Sequence, residues 1–232
     1  MKAVLFDLDN TLIDFMRMKK ISCEAAISAM IDAGLQIPKE KAYKILFDLY
    51  GVHGIEHGEI FQKFLEKTVG KVDYRILSNG IAAYRRMQAG YLEPYPHVRS
   101  TLIFLKENGM TLGIVSDAPR MKAWMRLAEM GLTDFFDLVV TLDDTGKKKP
   151  HALPFRAALR TLGIPPSEIL FVGDNPERDI KGAKKMGMKT ALAKYGQTFP
   201  NKGIKADYVL HDFEDLRTLP GLLRGEGRCC GC

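Results

Sequence analysis

Lys2-Ala-Val-Leu-Phe-Asp7-Leu-Asp9-Asn-Thr11 is the stretch from which the fold is read. Residues 2–6 are a short apolar run that halts abruptly at Asp7, which predicts a buried strand. Similar runs recur at 111–115 (Thr-Leu-Gly-Ile-Val), 138–141, 168–172 (Glu-Ile-Leu-Phe-Val), 189–193 and 207–210. Amphipathic stretches separate most of them. Alternation of strand and helix implies an α/β fold, a doubly wound parallel sheet with helices on both faces. Gly109, Gly131, Gly163 and Gly187 each follow a helical stretch and precede Met, Leu or Ile. That pattern predicts left-handed helix closures with the apolar residue folding back onto the last turn.

Residues 15–92 break the alternation. They show helical periodicity: Ile21, Ala25, Ala26, Ala29, Met30; then Ala42, Ile45, Leu46, Leu49; then Ile60, Phe61, Phe64, Leu65; then Ile81, Tyr84, Met87. Gly34, Pro38, Gly51, Gly54 and Gly70 punctuate them, so a small helical bundle inserted after the first strand is expected. Glu93-Pro-Tyr-Pro96 is the expected return linker, because its two prolines disfavour helix and sheet alike. The division read here is 1–14 and 93–224 for a Rossmann-like core, 15–92 for a helical insert and 225–232 for a tail.

Several strand ends carry chemistry-bearing residues. Asp7 and Asp9 are two positions apart, so in extended chain they point to one side. They sit where ligands collect in parallel sheets, and two carboxylates suit a hard cation such as Mg²⁺. The competing reading is an Asp-rich turn in which Asp9 or Asn10 caps a helix. In Gly173-Asp174-Asn175-Pro176-Glu177-Arg178-Asp179 a further run ends in an acid. Asp174 can supply a cation ligand, with Asn175 or Asp179 holding its waters. Equally, Asn175 or Asp174 can cap the helix beginning near Pro176, and Asp179 can serve the helix dipole. Gly182-Ala183 is expected to let that helix press close to the sheet. Ser116-Asp117 offers a hydroxyl and backbone N–H groups for an anion, or a plain cap before Pro119. Within Lys147-Lys148-Lys149-Pro150, a lysine near a strand end can neutralise phosphate; surface exposure is the alternative.

Composition limits the remaining classes. Hydrophobic residues make up 46% of 232 residues, which argues against a disordered chain. No apolar run approaches the length needed to cross a bilayer, and no signal-peptide pattern opens the sequence, so a cytoplasmic protein without membrane attachment is expected. Lys and Arg number 34 against 28 Asp and Glu, for a net charge of +6. The mild excess suits anionic substrates, or is an ordinary solvated surface. Cys229, Cys230 and Cys232 crowd a glycine-rich end that cannot by itself form a disulfide framework or a four-ligand zinc site; a disordered tail is expected.

Taken together, the motifs resemble the haloacid dehalogenase superfamily. Asp7-Leu8-Asp9-Asn10-Thr11 matches its first motif, Ser116 its second, Lys149-Pro150 its third, and Gly173-Asp174 through Asp179 its fourth, while 15–92 resembles its helical cap. Two departures stand out: Asp117 where the family often has Asn, and His151-Ala-Leu-Pro154 where an acidic-proline stretch is usual. Lys149 is preferred over Lys148 because it directly precedes Pro150. The resemblance implies a Mg²⁺-dependent phosphatase with Asp7 as nucleophile, Asp9 as general acid and base, Ser116 and Lys149 on the phosphate, and Asp7, Asp9 and Asp174 at the metal. A dehalogenase expels halide and needs no such acid, so the second acid favours phosphoryl transfer. Asp117 near the phosphate, and Phe15, Arg17 and Tyr50 on the cap, are the expected substrate contacts. The expected substrate is a small phosphorylated metabolite rather than nucleic acid, and the expected assembly is a monomer or homodimer. A phosphomutase, or a phospho-acceptor signalling module, is the alternative.

Overall fold

Strands β1 (Ala3–Phe6), β2 (Thr111–Val115), β3 (Leu138–Val140), β4 (Ile169–Gly173), β5 (Lys189–Ala193) and β6 (Tyr208–Leu210) pair in parallel in the order β3-β2-β1-β4-β5-β6. This is a computed structural model of the chain, describing residues 1–201 and 203–223. The cysteines expected in a tail at 225–232 lie outside the described residues. By chain contacts the structure divides into two compact units, one formed by Met1–Asp14 with the segment from Glu93 onward, the other by Phe15–Leu92.

In the first unit, β1 lies between β2 and β4, with Ala3 opposite both Thr111 and Ile169. Helices α5 (Val98–Glu107), α6 (Arg120–Glu129), α7 (Leu142–Thr145), α8 (Ala152–Leu162) and α9 (Lys181–Lys185) connect the strands, numbered after the four helices α1–α4 of the second unit. One sheet face packs Leu5, Val115, Phe171 and Ile169 against Phe155 and Ala158 of α8 and Ala183 of α9. Phe6 stacks on Phe213 and meets the edge of Phe136. Every β1 side chain is buried, as the unbroken apolar run requires. Gly109, Gly131, Gly163 and Gly187 all take positive φ, as the punctuation predicted.

Three local features depart from the sequence reading. The run 138–141 stops at Val140 because Thr141 turns into the cap of α7, exchanging hydrogen bonds with Asp144. The helix after Asp174 begins with a wide turn, Pro176–Ile180, before α9. Gly182 does serve close packing, but its neighbours are the ring of Phe155 and the backbone of Pro150 rather than the sheet.

The second unit contains α1 (Phe15–Asp32), α2 (Lys39–His53), α3 (Ile60–Val69) and α4 (Tyr74–Tyr91). Ile27, Met30, Leu46, Phe64 and Leu65 form its core. Gly80 lets α4 close on α1, since a β-carbon there would collide with the Met30 side chain. Asp73 caps α4 by accepting from the N–H groups of Arg75 and Ile76.

Candidate active site

The strand order reverses at β1, between β2 and β4, and the crevice beyond the carboxyl ends of such strands is the usual ligand position. Asp7 follows β1, and its N–H extends the ladder to the carbonyl of Val172, 2.9 Å away. Asp174 follows β4. Asp179 returns to the same place from the wide turn: its Oδ2 accepts from the N–H of Asn175 at 3.0 Å. Gly173 permits that return, because a β-carbon there would stand 2.6 Å from the Asp179 carboxyl. Each of Asp7, Asp174 and Asp179 has a carboxylate oxygen within 4.8 Å of one on each of the others, and all three are buried.

Electrostatics make this cluster incomplete by itself. Burial, followed by the charges of Asp7 and Asp179, pushes the Asp174 carboxyl up to about 9. Burial likewise raises Asp179, against the opposing pull of Lys149. Both Asp174 oxygens are buried without a hydrogen-bond donor. Buried acceptors are normally satisfied, and three clustered oxygen donors are the chemistry a divalent hard cation prefers. The residues present therefore fit Mg²⁺.

Lys149 supplies the opposing charge. Its buried Nζ donates to Asp7 Oδ1 at 2.6 Å and pairs with Asp179 Oδ1 at 2.8 Å. Burial works against its charged form, but Asp179 and Asp7 more than compensate, and its pKa is raised. Asp117 holds the lysine's backbone: Oδ1 accepts from the Lys149 N–H at 2.8 Å, while Oδ2 pairs with Arg178 at 3.2 Å. The Ser116 hydroxyl is buried and accepts from the Ala118 N–H at 3.1 Å.

The loop after Asp7 is fastened along its backbone. Tyr195 donates to the carbonyl of Thr11 at 2.8 Å, and the Tyr95 N–H donates to Leu12 at 2.8 Å. Gly196 presses so closely on the Asn10 carbonyl that no β-carbon fits. Asn10 itself takes φ 60. The Asp9 carboxylate turns toward Arg126, whose Nη1 donates to Oδ1 at 2.9 Å and Oδ2 at 2.7 Å.

Among the anticipated residues, Asp7 and Asp174 come together and Lys149 joins them. Asp179, expected only to hold waters, stands within the carboxylate cluster. The Asp9 carboxylate is not part of that cluster; it is committed to Arg126. Asn175 uses its Oδ1 to cap the following turn, accepting from Glu177 and Arg178, so the capping alternative describes that atom. The Asp117 carboxylate holds Lys149 and Arg178. In the helical unit, Phe15 is buried and Arg17 exposed; Tyr50 packs in that unit's core, with Lys19 Nζ 4.4 Å from its ring centre.

Two arginines escaped the sequence reading. Arg178 immediately precedes Asp179 within the quoted motif, and its adjacency was the available clue. Arg126 shares a helical stripe with Ala123, Leu127 and Met130. A charge on an otherwise apolar face was the signal there.

Residues 4–193 match the family model described as haloacid dehalogenase-like hydrolase. A protein of Methanocaldococcus jannaschii named glyceraldehyde 3-phosphate phosphatase is 35% identical over 93% of this chain and 95% of its own length. A phosphoglycolate phosphatase of Aquifex aeolicus is 33% identical over 93% and 95%. The crystal structure of a HAD phosphatase from Thermococcus onnurineus superposes with a TM-score of 0.69 at 28% identity, covering 97% of this chain and all of that one, 100%.

Proposed function

The chain belongs to the haloacid dehalogenase-like hydrolases, and from that premise we propose that it is a Mg²⁺-dependent phosphatase of small phosphate monoesters. The single observation that carries the metal and the chemistry together is Asp174: two buried, donorless oxygens beside Asp7, Asp179 and Lys149. Glyceraldehyde 3-phosphate is the first ester to test, given the names of the relatives.

Asp7, Asp174 and Asp179 would hold Mg²⁺, which supplies charge neutralisation for an incoming phosphate dianion. Lys149 adds a positive charge at the nucleophile, and the Ser116 hydroxyl with the Asp117 backbone N–H would line the anion cradle, the Ala118 N–H being used to hold that hydroxyl. Asp7 attacks phosphorus; the phosphorus–ester oxygen bond breaks, and Asp9 gives its proton to the departing alkoxide. Water then attacks the aspartyl-phosphate, Asp9 takes a proton from that water, and inorganic phosphate leaves as the Asp7 carboxylate is restored. Dividing one displacement into two gives each step a better nucleophile or leaving group. Phe15–Leu92, inserted directly after the Asp7 loop, is proposed as the cap that excludes competing water and selects the alcohol.

Phosphate release from a panel of esters, with and without Mg²⁺, tests this reading. Asp7→Asn should lower turnover by at least about 10³-fold while the fold persists. Normal hydrolysis by Asp7→Asn, or full activity with chelator, would overturn the assignment.

A further inference from the structure

We propose that Arg126 is the positioning residue for Asp9, fixing the acid–base carboxylate in the reaction assigned above; the inference rests on that assignment.

Arg126 puts a charge on an apolar helix face. Arg126 lies on α6 between Ala123 and Leu127, which are both fully buried. Its side chain is only 4% exposed, against 24% for Asp9. Stability is a poor explanation for an arginine at such a position, because desolvating an ion pair offsets most of its attraction. An apolar side chain would fill an apolar helix face as well. What the guanidinium adds is geometry: one nitrogen reaches both oxygens of a single carboxylate, at 2.9 and 2.7 Å.

The surrounding loop explains why that geometry matters. Tyr195, Gly196 and Tyr95 fasten the backbone at Thr11, Asn10 and Leu12. With the backbone held, the side-chain torsions of Asp9 are the freedom that remains, and Arg126 restrains them. A general acid must meet the leaving oxygen within hydrogen-bond reach, so an error of about 1 Å carries a large kinetic penalty. As Asp9 releases its proton, negative charge grows on the carboxylate beside a fixed positive charge. Arg126 thus favours the transfer without touching the substrate phosphate.

The consequence is selective for the leaving group. Alkoxides need a proton as they depart; p-nitrophenolate does not. The test measures kcat and KM with Mg²⁺ on glyceraldehyde 3-phosphate and on p-nitrophenyl phosphate, for the native chain, Arg126→Met, Arg126→Lys, Asp9→Asn and the Asp9→Asn/Arg126→Met pair. Arg126→Met should lose about 30-fold in kcat/KM on the alkyl ester, with kcat/KM on the aryl ester within about threefold, because kcat/KM reports the steps through departure of the alcohol and not the later water attack that both esters share. Arg126→Lys should recover about tenfold of that loss. The paired variant should fall within about twofold of Asp9→Asn alone, because Arg126 acts through Asp9. Equal losses of kcat/KM on both esters, no loss of kcat/KM on the alkyl ester, or additive losses in the pair would overturn the role. Should Arg126→Met fail to fold by circular dichroism, the selectivity of Arg126→Lys decides. If the native chain hydrolyses neither ester, the phosphatase assignment itself fails, a result distinct from any ranking among the variants.

Discussion

At the scale of single residues, Gly173 shows how an absent side chain can place a functional one. Asp179 reaches the carboxylate cluster only by folding against the end of β4, into the space a β-carbon would fill. Gly173→Ala would force the two apart or displace the strand end. Such overpacking costs about 1–3 kcal/mol, but the kinetic consequence should be larger than the thermal one. Asp179 would lose its hold on Lys149 and on the Asn175 N–H together. Turnover is expected to fall by more than about tenfold, because positioning errors of about 1 Å are already severe. Phosphate-release kinetics beside a melting curve will check this; unchanged turnover would show that Asp179 is not needed where it stands.

At the scale of elements, one acid adds side-chain hydrogen bonds to the ladder at the edge of the sheet. Asp207, just before β6, accepts from both the N–H and the hydroxyl of Thr190 on β5, each at 2.8 Å. Thr190 is fully buried. Asp207→Ala would leave both Thr190 donors without that acceptor, a cost of about 1–3 kcal/mol. Urea unfolding should report a lower midpoint with an unchanged slope. The same acid has a definite pH signature. Burial raises its pKa, but the Thr190 hydrogen bonds together with the charges of Lys184 and Lys189 outweigh that, and the net direction is down. A lowered pKa means stability present above the unfolded value of about 3.8 and lost as pH falls through the folded value. The stability gap between native chain and Asp207→Ala should therefore be constant near neutrality and narrow below about pH 4.

At the scale of the whole molecule, binding of a cation to the carboxylate cluster should be visible as stability. A ligand at 100 times its dissociation constant adds about 2.7 kcal/mol, or several degrees in a chain of this size. Mg²⁺ is expected to raise the thermal midpoint of the full chain, and Asp174→Asn should abolish most of that rise. An undiminished shift in Asp174→Asn would move the cation elsewhere. No helix among the described residues is long and apolar enough to cross a membrane.

Much of this architecture was legible in the residues because it follows from local rules. The apolar runs ending at Asp7, Val115 and Val172 marked strands, and glycines marked helix ends, since burial and left-handed backbone are demands each segment makes by itself. The chemistry-bearing types at those strand ends, Asp7, Ser116, Lys149 and Asp174, were equally visible. The division of labour among them was not. Whether Asn175 capped a turn or faced a cation, whether Asp179 served a helix or the cluster, and whether Asp9 met the metal group or capped a helix are choices that set local partners against ones distant in sequence, and for Asp9 the outcome, Arg126, was neither. Each partner is chosen by folding of the parallel sheet, which brings α6 to the loop after β1 and the turn after β4 to Lys149. Spacing along the chain carries no record of those distances, so tertiary structure alone decided them.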